Sequence, residues 1–194
     1  MVLPGFLATD RTTLGLQRAL AAAGYRVSGW GLGMNKGVRP ETLERIAHRL
    51  EEFGGGGPVI LVGWSLGGIY AREIAKTRPD LVAMVVTLGT PFSGDRRNNN
   101  VWRLYEAVAG HPVDRPPIAG DPAVKPPVPT LALWSRRDGL IAPAAARGAA
   151  GERDRERELH CRHMGYAVSG RAFPAIIRAI SDFRASLETA GFTG

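Results

Sequence analysis

The sequence predicts an α/β fold, with a mostly parallel six-stranded sheet that carries helices on both faces. Strand and helix signals alternate along most of the 194 residues, which requires crossover connections and therefore parallel neighbours. One strand signal, Pro58-Val59-Ile60-Leu61-Val62, is a continuous apolar run, as expected of a strand buried on both sides. The length and the 44% hydrophobic content suit one domain, residues 1–194, with a sizeable core.

The elements follow in order. Met1 to Leu3 reads as a strand stopped by Pro4-Gly5. Asp10 to Ala23 reads as a helix, with Asp10 or Thr12 near its start and Gly24 at its end. Tyr25 to Trp30 is a second strand, followed by the glycine-rich loop Gly31-Leu32-Gly33-Met34-Asn35-Lys36-Gly37. Glu41 to Phe53 places Leu43, Ile46, Ala47, Leu50 and Phe53 on one helical face, and Gly54 to Gly57 closes it. After the central strand come a helix over Leu66 to Thr77 and a strand over Leu81 to Leu88.

Residues 92–128 break this rhythm. The stretch is rich in Asn, Arg and Pro and holds one helical piece, roughly Asn100 to Ala109. Such an excursion sits over the strand ends where ligands bind, and is read as a short cap or lid. The alternation resumes with a strand at Thr130 to Trp134. A charged stretch over Gly151 to Arg157 precedes a short strand at Glu158-Leu159. A closing helix over Ala172 to Leu187 turns Phe173, Ile176, Ile177, Ile180, Phe183 and Leu187 to the core. No internal repeat is present.

Composition narrows the function classes. The net charge is +7, from 25 Lys and Arg against 18 Asp and Glu. The arginines are scattered, with no basic stripe interleaved with aromatics, so no nucleic-acid partner is expected. No apolar run approaches the roughly 20 residues of a membrane span, so no stable membrane insertion is expected. Cys161 is the single cysteine and no intrachain disulfide can form. Met1 leads directly into Val2-Leu3-Pro4-Gly5 without a basic or apolar leader, which makes a cytoplasmic location the expectation. The first strand is short, so a native start upstream of Met1 stays open.

The chemistry concentrates at Gly63-Trp64-Ser65-Leu66-Gly67. A G-x-S-x-G turn between a strand and a helix is a nucleophile elbow, which projects the serine hydroxyl above the sheet edge. A serine needs a base to take its proton, and the base needs an acid to hold its tautomer. The expected order after the elbow is acid, then histidine. Of the four histidines, His48 precedes the elbow and His111 lies in the Pro-rich excursion; His160 and His163 follow the last strand. His163 is the chosen base, because His163-Met164-Gly165 sits in the loop above the sheet; His160 is the runner-up. A metal site from His160, Cys161 and His163 fits zinc spacing poorly. Asp138 lies just past the strand Thr130 to Trp134, in an Asp-Gly turn, where an acid belongs; Asp114, Asp121 and Asp154 lie in looser surroundings. The oxyanion hole is expected from the backbone N–H groups of Leu66 and Phe6. Trp30, Trp64, Phe92, Trp102 and Tyr105 are candidate substrate-binding residues along an acyl pocket.

Leu3-Pro4-Gly5-Phe6, Gly29-Trp30-Gly31-Leu32-Gly33, Gly63-Trp64-Ser65-Leu66-Gly67-Gly68, Leu88-Gly89-Thr90-Pro91-Phe92, Ser135-Arg136-Arg137-Asp138-Gly139 and His163-Met164-Gly165 occur in the order found in the α/β-hydrolase superfamily. The sequence resembles its bacterial lipase- and esterase-like members. The resemblance implies a minimal α/β-hydrolase fold, with Ser65 as nucleophile, His163 as base, Asp138 as acid and Phe6 and Leu66 as oxyanion donors. It implies hydrolysis of carboxylic esters, of small-molecule or lipid-like kind, without a cofactor. The antiparallel hairpin with which many relatives begin is missing and the cap is short, which favours a carboxylesterase over a true lipase. The same triad serves a thioesterase, amidase or acyltransferase. A reading of another class is a non-catalytic scaffold on the hydrolase fold.

Overall fold

A computed structural model describes residues 1–94, 102–110, 112 and 120–191. Its strands are β1 (Val2–Leu3), β2 (Val59–Trp64), β3 (Val82–Leu88), β4 (Thr130–Trp134) and β5 (Arg155–Glu158). Its helices are α1 (Leu14–Ala22), α2 (Pro40–Gly54), α3 (Leu66–Thr77), α4 (Trp102–Ala109), α5 (Pro143–Arg147), α6 (Gly165–Val168) and α7 (Phe173–Thr189). The strands form one sheet in the order β1-β2-β3-β4-β5, and every neighbouring pair is parallel.

The sheet has five strands among the described residues, not six. The segment expected as a strand over Tyr25 to Trp30 joins the sheet through a single parallel bridge, Gly29 to Val2, with the Val2 N–H on the Ser28 carbonyl at 2.8 Å. The reason lies in Asp10. Its carboxylate accepts the N–H of Trp30 at 3.0 Å and of Gly31 at 2.9 Å. Backbone donors that a ladder needs are thus taken by a side chain, and the chain turns away. Asp10 is spent on this task, and α1 begins only at Leu14.

Even so, the segment fixes the winding. From β1 the chain travels through α1 to Gly29, on the outer side of β1. It then crosses through α2 to β2, on the inner side. The winding reverses at β1, and in open α/β sheets the crevice at the strand carboxyl ends beside such a reversal is where ligands bind.

Strand alternation divides the core in two. Leu3, Val59, Leu61 and Val85 pack with Ile46 and Leu50 of α2 and Tyr70 and Ile74 of α3. Val2, Val62, Trp64, Met84 and Val86 pack on the other face with Leu16 and Leu20 of α1 and Ile176 and Ile180 of α7. Ile46 and Leu50 are almost wholly buried, and such a side chain contributes about 1.5–3 kcal/mol. A register shift between Val59 and Ile60 lets Val82 and Met84 point to opposite faces. α2 starts with Pro40 at its first turn and ends at Gly55, whose φ of 61° lets its N–H reach the Glu51 carbonyl.

The last strand lies earlier than the sequence suggests, at Arg155–Glu158 rather than Glu158-Leu159. Its charged residues pair with Leu131 to Trp134 at the sheet edge, a position where charge discourages further strand pairing. Leu159 follows it, buried, with its N–H on the Trp134 carbonyl at 2.7 Å.

The chain returns from the 92–128 excursion onto α3. Arg72, 1% exposed, donates to the carbonyls of Pro122, Ala123, Val124 and Glu152. Its guanidinium also lies 4.1 Å from the centre of the Phe92 ring. Burial pushes the Arg72 guanidinium down to about 10, against the opposing pull of the Glu73 and Glu152 carboxylates. Among the described residues no helix is long and apolar enough to cross a membrane.

Candidate active site

Ser65 stands between β2 and α3 with φ 54° and ψ −122°, a conformation that costs a non-glycine residue on the order of 1–3 kcal/mol. The surroundings force it. The Ser65 N–H donates to the Leu88 carbonyl at 2.9 Å, and its own carbonyl accepts the Gly68 N–H at 3.0 Å. The helix starts so close to the sheet that a Cβ on Gly67 would lie 2.3 Å from the Leu3 carbonyl oxygen. A Cβ on Gly63 would lie 2.4 Å from the Gly68 Cα. No other residue type fits either place without moving backbone. Leu66 opens α3, so its N–H belongs to the unpaired first turn that favours negative charge.

The loop after β1 runs past the serine: a Cβ on Gly5 would stand 3.1 Å from the Ser65 Cβ. Phe6 lies on this loop, and Leu7 beside it has a φ of 57°.

On the other side, Asp138 and His163 meet. The Asp138 Oδ2 lies 2.9 Å from His163 Nδ1. The second oxygen, Oδ1, accepts the N–H groups of Leu140 at 3.0 Å and Ile141 at 2.7 Å. The His163 N–H donates to the Asp138 carbonyl at 2.9 Å, so the two residues are held at both backbone and side chain. They are 4% and 6% exposed, and the three donors on the carboxylate offset the cost of burying it. With the carboxylate accepting at Nδ1, that nitrogen carries the proton and Nε2 is left as the acceptor.

Trp64 joins the two sides. It neighbours Ser65 in sequence, its Nε1–H donates to the His163 carbonyl at 3.1 Å, and its ring centre lies 5.6 Å from the imidazole. Tyr166 meets the imidazole edge-on from α6 at 6.3 Å. Beside them, burial and the Asp138 charge push the Cys161 thiol up to about 11.

The remaining sequence candidates fall elsewhere. Trp64 is framework, as described. Trp30 is 3% exposed, with its Nε1–H on the Gly33 carbonyl and its ring 6.2 Å from Tyr70. Phe92 is 2% exposed beneath Arg72. These three aromatics are packed into the protein, with partners of their own. Trp102 lies on α4; its side chain and that of Tyr105 lie outside the described residues, as do His111 and Asp114. His160 is exposed, and His48 is exposed beside Glu52. Asp154 accepts from the N–H and hydroxyl of Thr130, and Asp121 accepts the Ala123 N–H; both serve loop structure. Among the described residues no group of three or more His, Cys, Asp or Glu side chains gathers to hold a metal ion. The residue that sequence reasoning missed is Asn35, fully buried behind the Gly5-Phe6 loop. Its signal was an amide side chain inside a glycine-rich loop, which reads as an ordinary turn residue.

A parallel sheet with helices on both faces, reversing its winding beside a strand-serine-helix turn, defines an α/β protein whose candidate site lies at the carboxyl ends of its strands. The model of the alpha/beta hydrolase family matches residues 2–187, and the chain belongs to that family. No curated protein matches the sequence. Solved structures resemble it over nearly its full length. A monoacylglycerol lipase from Paleococcus ferrophilus is 18% identical, with 94% of this chain and 93% of that chain covered at a TM-score of 0.65. A thermophilic esterase from Thermogutta terrifontis is 18% identical, covering 94% and 89% at 0.64. The thioesterase domain from the curacin biosynthetic pathway is 16% identical, covering 91% and 89% at 0.61. At these identities the likeness is one of fold.

Proposed function

We propose that the chain is a serine hydrolase that cleaves carboxylic esters through an acyl-enzyme intermediate. The observation that carries the reading is the buried Asp138–His163 pair, 2.9 Å between Oδ2 and Nδ1, whose His163 carbonyl accepts the indole N–H of Trp64, the residue beside Ser65. In the first half-reaction His163 Nε2 takes the Ser65 hydroxyl proton as the oxygen attacks the ester carbonyl. The N–H groups of Phe6 and Leu66 receive the oxyanion. Protonated His163 then gives its proton to the departing alcohol. In the second half-reaction His163 takes a proton from water, the hydroxide attacks the acyl group, and the carboxylic acid leaves as Ser65 regains its proton. Asp138 holds Nδ1–H throughout and stabilises the imidazolium. The 92–128 excursion is read as a short cap over this site, and the cycle draws on no cofactor.

The test is covalent labelling by a fluorophosphonate, mapped by mass spectrometry in the wild type and in Ser65→Ala. Label at Ser65 that the variant loses supports the reading. A folded wild type that takes no label overturns it in favour of a non-catalytic scaffold. Matched oxygen ester, thioester and amide substrates then decide which bond is cleaved, since the triad alone does not.

A further inference from the structure

The geometry points to Asn35 as the positioning residue of the oxyanion loop, with Tyr70 holding Asn35 in place. The inference rests on the ester-hydrolase reading and on the Phe6 N–H as a donor. That N–H belongs to the peptide unit joining Gly5 and Phe6. The units on either side of it are both fastened to Asn35. On the upstream side, the Asn35 Nδ2–H donates to the Pro4 carbonyl at 2.9 Å. On the downstream side, the Leu7 N–H donates to the Asn35 backbone carbonyl at 2.7 Å, and the Asn35 N–H returns to the Ala8 carbonyl at 2.9 Å. One residue thus fixes the planes of the peptides before and after the donor.

Within the loop the Ala8 N–H donates to the Gly5 carbonyl at 3.1 Å, which closes a turn around the donor peptide, and Asn35 ties that turn to the rest of the protein. Leu7 has a φ of 57°, which a leucine adopts only under constraint. From below, the Pro4 carbonyl oxygen lies 2.8 Å from where a Cβ on Gly67 would be, so the start of α3 bounds its other side. Asn35 is 1% exposed, and its amide is oriented through Gly37. Its Oδ1 accepts the Gly37 N–H at 3.3 Å. The hydroxyl of the fully buried Tyr70 lies 3.4 Å from the same Oδ1 and 2.7 Å from the Gly37 carbonyl, to which it donates. With Oδ1 turned to the Gly37 N–H, Nδ2 faces Pro4, and Tyr70 steadies Asn35 through its hydrogen bond to Gly37. Tyr70 stands on α3, the helix that begins at Leu66. The brace therefore references the loop donor, Phe6, to the helix that carries the other donor. A preorganised hole of this kind stabilises charge only where its donors are held to the oxyanion position.

The experiment compares wild type, Asn35→Ala and Tyr70→Phe. Activity is read as kcat and KM on a short p-nitrophenyl ester, per folded molecule and well below each melting temperature. Loop order is read by amide hydrogen exchange over residues 4–8. Asn35→Ala is expected to lower kcat about 10- to 100-fold, a part of the loss of one oxyanion donor, with KM within about threefold. Exchange at Leu7 is expected to quicken at least about tenfold, with β2 and α7 unchanged. Tyr70→Phe, which keeps the ring, is expected to move both readouts the same way, by about two- to fivefold. A folded Asn35→Ala with kcat unchanged, with its whole loss in KM, or with unaltered exchange over residues 4–8 overturns the inference. If Asn35→Ala does not fold, an unaltered kcat and exchange pattern in Tyr70→Phe overturns it equally. A wild type that neither turns over esters nor takes a fluorophosphonate defeats the hydrolase reading, and the exchange arm still decides whether Asn35 holds the loop.

Discussion

The two flanks of Ser65 are built from different materials. On the Phe6 side the groups proposed to act are main-chain N–H, and the construction is backbone on backbone: Gly67 against Leu3, Gly5 against Ser65, and a strained Leu7 tied to Asn35. On the His163 side the groups proposed to act are side chains, buried and paired: carboxylate on imidazole, indole on the histidine carbonyl, phenol edge on the ring. Main-chain donors need no particular side chain at their own position, only enforced geometry. A proton relay needs particular atoms and tolerates no substitute. The two flanks therefore fail differently: one by misplacement, the other by deletion.

The largest expected effect is on the side-chain flank. Ser65→Ala and His163→Ala are each expected to reduce ester turnover by a factor on the order of 10⁴–10⁶ with the fold retained, checked by initial rates beside circular dichroism. Asp138→Asn is expected to cost on the order of 10⁴ in kcat through the wrong imidazole tautomer; a loss under tenfold would remove Asp138 from the relay. The backbone flank breaks through stability instead. Gly67→Ala drives a methyl into the Leu3 and Pro4 carbonyls and is expected to destabilise by about 2–4 kcal/mol, read from urea unfolding midpoints. A further contrast sits beside the imidazole. Cys161, pushed up to about 11, carries little thiolate at pH 8, so iodoacetamide should modify it roughly 100-fold more slowly than an unfolded control. The smallest effect is expected at exposed His160: His160→Ala keeps activity within about twofold, and a dead variant there would move the base to His160.

Legibility in the sequence followed the same divide. The helix over Leu66 to Thr77 and the strand over Thr130 to Trp134 were readable to the residue, because apolar periodicity and the glycine turn before α3 are local signals. Asp138 and His163 were readable as partners by their place after the last strands, and the structure brings them together. What could not be read depended on contacts distant in sequence. Nothing near Tyr25 to Trp30 announces that Asp10 takes the donors of Trp30 and Gly31 and cancels a strand. Nothing in Arg155-Glu156-Arg157-Glu158 looks like a strand until Leu131 to Trp134 lie beside it. Asn35 looks like a turn residue because its partner Pro4 lies 31 residues away and Tyr70 holds the neighbouring Gly37 from 33 residues away.

Arg72 has a consequence for how the family's scaffold can vary here. Its guanidinium reaches the carbonyls of three consecutive residues, Pro122 to Val124, and of Glu152, from the helix that begins beside Ser65. Chain length can be added or removed upstream of Asp121 without touching that clasp. The same change between Pro122 and Val124 would slide the carbonyls out of reach and strand a cation in the protein interior. On the return path the anchored stretch already begins at Asp121, whose carbonyl accepts Lys76 Nζ of the same helix at 2.6 Å, so a length change that spares the clasp has to end before it.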